Sequence, residues 1–388
     1  MNLQQLRAET PGCQFKIHLN NAGASFMPQP AVEAIRSYLE LENTTGGYEL
    51  AHQKADELKG IYQALAQYLH CTAEEIAITS SATDSYARAL SAIPFRAGDL
   101  ILTTESDYAS NHIAFLSLQK RFDIKIMRIA NDASGQLDLA AFAKAIENHH
   151  PKLVAVTHVP TNSGIIQPVE IVGQYCRQHD ILYLVDACQS AGQLPLDVQA
   201  IGCDFLTATF RKFMRGPRGM GFLYVSKRVL ENGLEPLFID MRGADWVGAA
   251  HYLPKAGAGR FEYWEFPYAL VMGAKVAVEY MLHIGIENIA KRNEELCRHL
   301  RGKLSEIAGI RLLDEGTRLC SIITLVHDQY TSEELQNKLS ALNINTSVSG
   351  RSGALIDFDK KGVHSALRLS PHYFNTIEEL DAMVVALS

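Results

Sequence analysis

Short apolar runs alternate with amphipathic helical stretches through most of this chain. The runs are Glu75–Thr79, Leu100–Thr103, Lys125–Ile129, Leu153–His158, Ile181–Asp186, Phe205–Thr209 and Gly221–Val225. Apolar residues at helical spacing separate several of them, for example over Asp138–His149 and Val169–His179. Near-continuous apolar strands joined by helices predict an α/β fold: a mostly parallel, seven-stranded sheet covered by helices on both faces. In such sheets ligands bind beyond the carboxyl ends of the strands. After about residue 265 the texture changes. Helical patterns at Ala269–Gly285 and Ile286–Ala308 lead into strand candidates Ile310–Leu313 and Cys320–Val326, then helices Ser332–Leu342 and Ile377–Leu387. The expected organisation is a large domain over 25–268 and a smaller α+β domain over 269–388. Residues 1–24 are too few to fold alone, so they should pack on the small domain or cross the cleft.

Composition narrows the function. The chain has 388 residues with 47% apolar and 20% charged, ordinary values for a globular protein of two domains. A net charge of −7 disfavours nucleic acid or an anionic membrane as the main partner. No apolar run is long enough to span a bilayer, and the start MNLQQLRAETPGCQF has neither the cationic nor the apolar part of a signal peptide. The seven cysteines, Cys13, Cys71, Cys176, Cys188, Cys203, Cys297 and Cys320, form no CxxC motif or Cys/His cluster. No metal site is therefore indicated, and reduced thiols in a cytoplasmic protein are the expectation.

The informative segment runs from Val185 to Val225. Asp186 closes one apolar run and Lys212 follows another. Taken singly, Asp186 reads as a helix N-cap and Lys212 as a solvated lysine. Together they are what pyridoxal 5′-phosphate requires: an amine to form a Schiff base with the aldehyde, and a carboxylate to keep the pyridine nitrogen protonated. Thr209 and Arg211 flank the lysine, a hydroxyl and a cation suited to a phosphate dianion. Arg215 and Arg218 follow in a Gly-Pro-x-Gly-x-Gly turn, where a basic surface loop is the alternative reading. Upstream, Ser81-Ala82-Thr83 precede a helical pattern, which offers an anion free N–H groups and a favourable dipole; a plain N-cap is the other reading.

These segments resemble the class V aminotransferase and cysteine desulfurase superfamily of fold-type I pyridoxal-phosphate enzymes over nearly the whole chain. HLNNAGASFMP (His18–Pro28) is similar to the family's opening along the substrate entrance, and places Asn21 beside the substrate. ITSSATDSYARAL (Ile78–Leu90) is similar to its phosphate turn. ESDYASNHIAF (Glu105–Phe115) puts Tyr108 where the family stacks a ring on the cofactor. THVPTNSGIIQPV (Thr157–Val169) puts Thr161, with Asn162 adjacent, at the cofactor's ring hydroxyl, which Gln189 of DACQ also meets. Arg368 in LRLSPHYFNT matches the arginine that grips the substrate α-carboxylate. The resemblance further implies a homodimer in which GRFEYWEF (Gly259–Phe266) reaches toward the neighbouring subunit.

The desulfurases carry a nucleophilic cysteine shortly before that arginine, and Thr346–Asp357 contains none here. The motifs look closer to the ergothioneine-pathway carbon–sulfur lyase and its isopenicillin-epimerase-like relatives. That subgroup implies β-elimination from a cysteine-derived thioether or sulfoxide, with Lys212 as the general base and Tyr108 beside the leaving group. Transamination and racemisation share the same chemistry up to a late step, and a non-catalytic cofactor-binding protein is a further class. Retention of Asp186, Lys212 and Arg368 speaks against the last. Arg351 is a candidate for reading the substrate side chain.

Overall fold

A computed structural model describes residues 1–388. Every one of the expected runs becomes a strand of a single seven-stranded sheet. In chain order they are β1 (Ile76–Thr79), β2 (Leu100–Thr104), β3 (Lys125–Ile129), β4 (Leu153–Thr157), β5 (Leu182–Asp186), β6 (Phe205–Thr209) and β7 (Gly221–Val225). They lie side by side as β1-β7-β6-β5-β4-β2-β3. Only β7 runs against its neighbours.

Alternation along the strands sends side chains to two separate cores. Ile76, Ile78, Val154, Val156, Phe222 and Tyr224 face the larger one. Ala77, Leu153, Ala155, Leu223 and Val225 face the other, under the helices Ala82–Ser91 and Ala109–Phe122. With both faces covered, neither set of positions can be polar, which is why the strands read as unbroken apolar runs. Each fully buried side chain such as Phe222 contributes about 1.5–3 kcal/mol of transfer free energy.

The smaller unit is a four-stranded antiparallel sheet in the order Ile310–Leu312, Ile323–His327, Ser365–Leu369, Ser347–Gly350. Its core takes Leu296 and Leu300 from the helix Ile286–Ser305, with Leu335, Leu339, Leu380 and Met383 from two later helices. The helix Tyr268–Ile284 departs from the expected division at residue 268. Its residues Ala269, Val271, Ala274, Val278 and Met281 pack into the large core. The cores exchange inside Ile286–Ser305, since Ile289 belongs to the large one and Leu296 to the small one. The change in sequence texture marks where a long helix begins, and the change of core comes a helix later.

The N-terminal segment touches both units. Leu6 sits in the large core, while Ile17–His18 pairs in parallel with Ile344–Asn345 and Leu19 enters the small core. Arg215, at φ 58°, clasps the crossing from inside. It donates to the Phe26 carbonyl at 2.8 Å, to Thr10 Oγ1 at 2.6 Å and to Tyr373 at 2.5 Å, and is 2% exposed. It is a buried brace, away from the cleft and unlike a surface loop residue; Arg218, by contrast, is exposed.

Candidate active site

The parallel strands β4, β5 and β6 end in Thr157, Asp186 and Thr209, and a cleft with about 490 Å³ of empty space opens beyond them. Ser81, Ala82 and Thr83 line the same cleft. Ser81 caps the helix Ala82–Ser91 by accepting from the Asp84 amide at 3.1 Å, which leaves the amides of Ala82 and Thr83 free of any helical acceptor. Gly221, at the start of β7, lets this turn come close. A Cβ there would stand 2.4 Å from the Ser81 carbonyl carbon and 2.6 Å from the Ala82 nitrogen.

Asp186 is held from two sides. Asn111 Nδ2 donates to its Oδ2 at 3.0 Å, and the Cys188 amide donates to its Oδ1 at 2.9 Å. Asn111 also reaches Asp107 Oδ1 at 3.0 Å and Thr157 Oγ1 at 3.4 Å. Burial raises the pKa of Asp107. Lys212 lies in the turn after β6, 8% exposed, and burial lowers its pKa, so its free amine is biased toward the neutral, nucleophilic form. Gly192, at φ 88°, permits that turn to pack: a Cβ would meet the Phe213 carbonyl carbon at 2.3 Å.

Arg368 projects from the small unit. It donates to Ser347 Oγ at 3.1 Å, to the Thr161 carbonyl at 3.2 Å and to Thr161 Oγ1 at 2.6 Å, and to no carboxylate. Burial, then the neighbouring charge of Arg211, brings its pKa down to about 10. A desolvated guanidinium without an acid is prepared to receive one. Thr161 Oγ1 also accepts from Gln189 Nε2 at 2.8 Å, and Gln189 Oε1 has no partner. Arg211 donates to the Gly23 carbonyl and lines the cleft with Thr209, Tyr108 and Cys188.

Three residues considered from sequence stand elsewhere. Asn162 lies with Thr161 in the turn after β4 but lines a different hollow, and it donates to Asp357 at 2.7 Å. Asn21 is consumed internally, donating to the Ser370 carbonyl at 2.7 Å and accepting from Ser25 at 2.6 Å. Arg351 is exposed and forked onto Asp359 at 2.7 Å. Asn111 and Thr157 were missed. An asparagine one turn into a helix, after the strand-end acids, is the signal that marks the first.

A family model described as aminotransferase class-V matches residues 17–383. A probable cysteine desulfurase of Methanothermobacter thermautotrophicus is 27% identical, over 99% of this chain and 96% of that protein. The apo cysteine desulfurase from Thermococcus onnurineus NA1 superposes with a TM-score of 0.91 at 25% identity, covering 99% of this chain and 96% of that one. The cystine C–S lyase C-DES, with glycine covalently linked to its PLP cofactor, has a TM-score of 0.88 at 22% identity, covering 98% of each chain.

Proposed function

The chain belongs to the class V aminotransferase family, and from that premise we propose that it is a carbon–sulfur lyase, cleaving a cysteine-derived thioether or sulfoxide by β-elimination. Its cofactor is pyridoxal 5′-phosphate. The donor set in the cleft fits that group: an amine in Lys212, a carboxylate in Asp186, an unpartnered amide oxygen in Gln189, and hydroxyls and a cation in Ser81, Thr83, Thr209 and Arg211. When bound, the cofactor supplies an electron sink for the carbon that carries the substrate's amino group.

The protein's own part follows from its contacts. Asp186, fixed by Asn111 and the Cys188 amide, would hold the proton on the ring nitrogen. Ser81, the free amides of Ala82 and Thr83, Thr209 and Arg211 would hold the phosphate. Arg368 would orient the substrate through its α-carboxylate. Lys212, its pKa lowered by burial, would anchor the cofactor and then take the α-proton as general base. Tyr108 borders the space left for the substrate side chain.

The observation that carries elimination is the segment before Arg368. Thr346–Asp357 holds no cysteine, and Cys320 is buried with its pKa pushed up to about 12. A persulfide route needs an accessible thiolate at the substrate. Product analysis on a panel of cysteine thioethers and sulfoxides tests the reading. Pyruvate, ammonia and a sulfur product in equal amounts are expected; a keto acid formed only when an amino acceptor is added would replace it with transamination. We further infer a homodimer. The hairpin Ala244–Gly248 with His251–Pro254 stands out from the fold with Trp246 81% exposed, beside exposed Leu237 and Phe238. Light scattering should give twice the chain mass of 42.9 kDa.

A further inference from the structure

A second hollow adjoins the cleft and has no part in the chemistry above. About 630 Å³ of empty space, open to solvent, lies between the start of the helix Ala109–Phe122, Arg128 of β3 and the segment Ser352–Asp357. The two spaces share a wall. Asp107 and Asn162 line the hollow, while their chain neighbours Tyr108 and Thr161 line the cleft.

The polar groups here are unevenly satisfied. Glu105 is paired with Lys360, and Asp357 with Lys361 at 2.8 Å and Asn162 at 2.7 Å. Asp107 accepts from Thr103 at 2.8 Å and from Asn111 at 3.0 Å. The donors opposite have no such partners. Arg128 Nε is buried without a hydrogen bond, and the His112 ring, beside the Glu105 backbone, makes none of regular geometry. Burial keeps His112 toward its neutral form against the pull of Asp107, a form that carries one ring N–H. A buried guanidinium N–H lacking an acceptor is costly, and what satisfies it best is a carboxylate. Ile113, Leu116 and Leu355 supply an apolar wall for a short methylene stem.

We propose that this hollow is a subsite for a carboxylate at the far end of the substrate's side chain, held by Arg128 and His112. The proposal deepens the lyase reading and rests on it for the source of the carboxylate; the site itself is tested separately. Holoenzyme and an Arg128→Gln variant of matching melting temperature are titrated with glutarate by calorimetry. Both are then assayed on S-(2-carboxyethyl)cysteine and its neutral counterpart S-propylcysteine. Glutarate should bind the parent and bind Arg128→Gln about tenfold or more weakly, in line with losing a charge-assisted pair. Arg128→Lys, which keeps the charge and loses the fork, should fall between, and it serves if the glutamine variant does not fold. The preference for the carboxylated thioether should be about tenfold in the parent and vanish in Arg128→Gln. Glutarate binding that depends on Arg128, without any substrate preference, would keep the site and assign it to a free small acid. Absence of glutarate binding, with a preference indifferent to Arg128, overturns the proposal. If no thioether is cleaved at all, the lyase reading fails and the titration still decides the subsite.

Discussion

Asn111 gives one Nδ2 group to two carboxylates, Asp186 at 3.0 Å and Asp107 at 3.0 Å. One acid faces the cleft and the other lies behind it, its pKa raised by burial. Asn111 is thus a positioning residue for Asp186. Asp186→Asn should fold and bind cofactor yet lose turnover by orders of magnitude. Asn111→Ala should lose about tenfold, the worth of one hydrogen bond to a charged group. It should also shift the pH at which the bound cofactor's absorbance changes. Normal turnover and an unmoved spectrum in Asn111→Ala would remove it from the site.

Borohydride treatment of the yellow holoenzyme should bleach it and leave the cofactor on the peptide that contains Lys212. Lys212→Ala should keep weak cofactor binding through the Ser81–Thr83 turn and show no turnover. An adduct mapped to any other lysine refutes this placement of the site.

Cys188 is the one thiol that lines the cleft, and burial followed by the adjacent Asp186 charge drives its pKa well above the usual thiol range. A thiol so disfavoured as thiolate is a poor nucleophile. Cys188→Ala should retain most activity per cofactor-loaded subunit. A persulfide trapped on Cys188 in the parent, with activity lost in the variant, would restore a desulfurase reading.

Three buried histidines set the acid side of stability. Burial lowers His158 to about 3, His18 to about 4, and His372 well below its ordinary value. Unfolded imidazoles take a proton near pH ~6.5. The unfolded state therefore binds more protons below that value, and stability rises with pH up to it. The contribution is complete above pH ~6.5 and drains away as pH falls toward the folded values. At pH 5.5 each histidine should already cost roughly 1.4 kcal/mol. The melting temperature should fall by several degrees between pH 7.5 and 5.5 at constant ionic strength. A flat profile would contradict the burial.

The large sheet was legible because its strands are covered twice, and double coverage leaves an unmistakable apolar run. The helix Gln29–Thr45 was not: of its residues only Ala31 and Tyr38 are buried, too few to show a period. The lysine and aspartate of the cleft could be read because their chemistry requires both at strand ends. Asn111 escaped notice since its role depends on a strand that lies far away in sequence. Asn162 could not be separated from Thr161 without knowing which way the chain faces there. Arg215 looked like part of a basic turn, and only the fold reveals the N-terminal segment and Tyr373 closing around it.

The pairing of Ile17–His18 with Ile344–Asn345 also governs when this protein can finish folding. His18 meets Asn345 across 327 residues. A ribosome adding about 5–20 residues per second needs roughly a quarter of a minute to a minute to make the missing partner. Through that interval the large sheet can assemble, since all seven of its strands precede residue 226. The opening segment must wait, with Leu19 lacking the core that will cover it. Arg368, which donates to Thr161 at the edge of the cleft, is made later still. The opening segment therefore docks on the small unit only after residue 345 has been made.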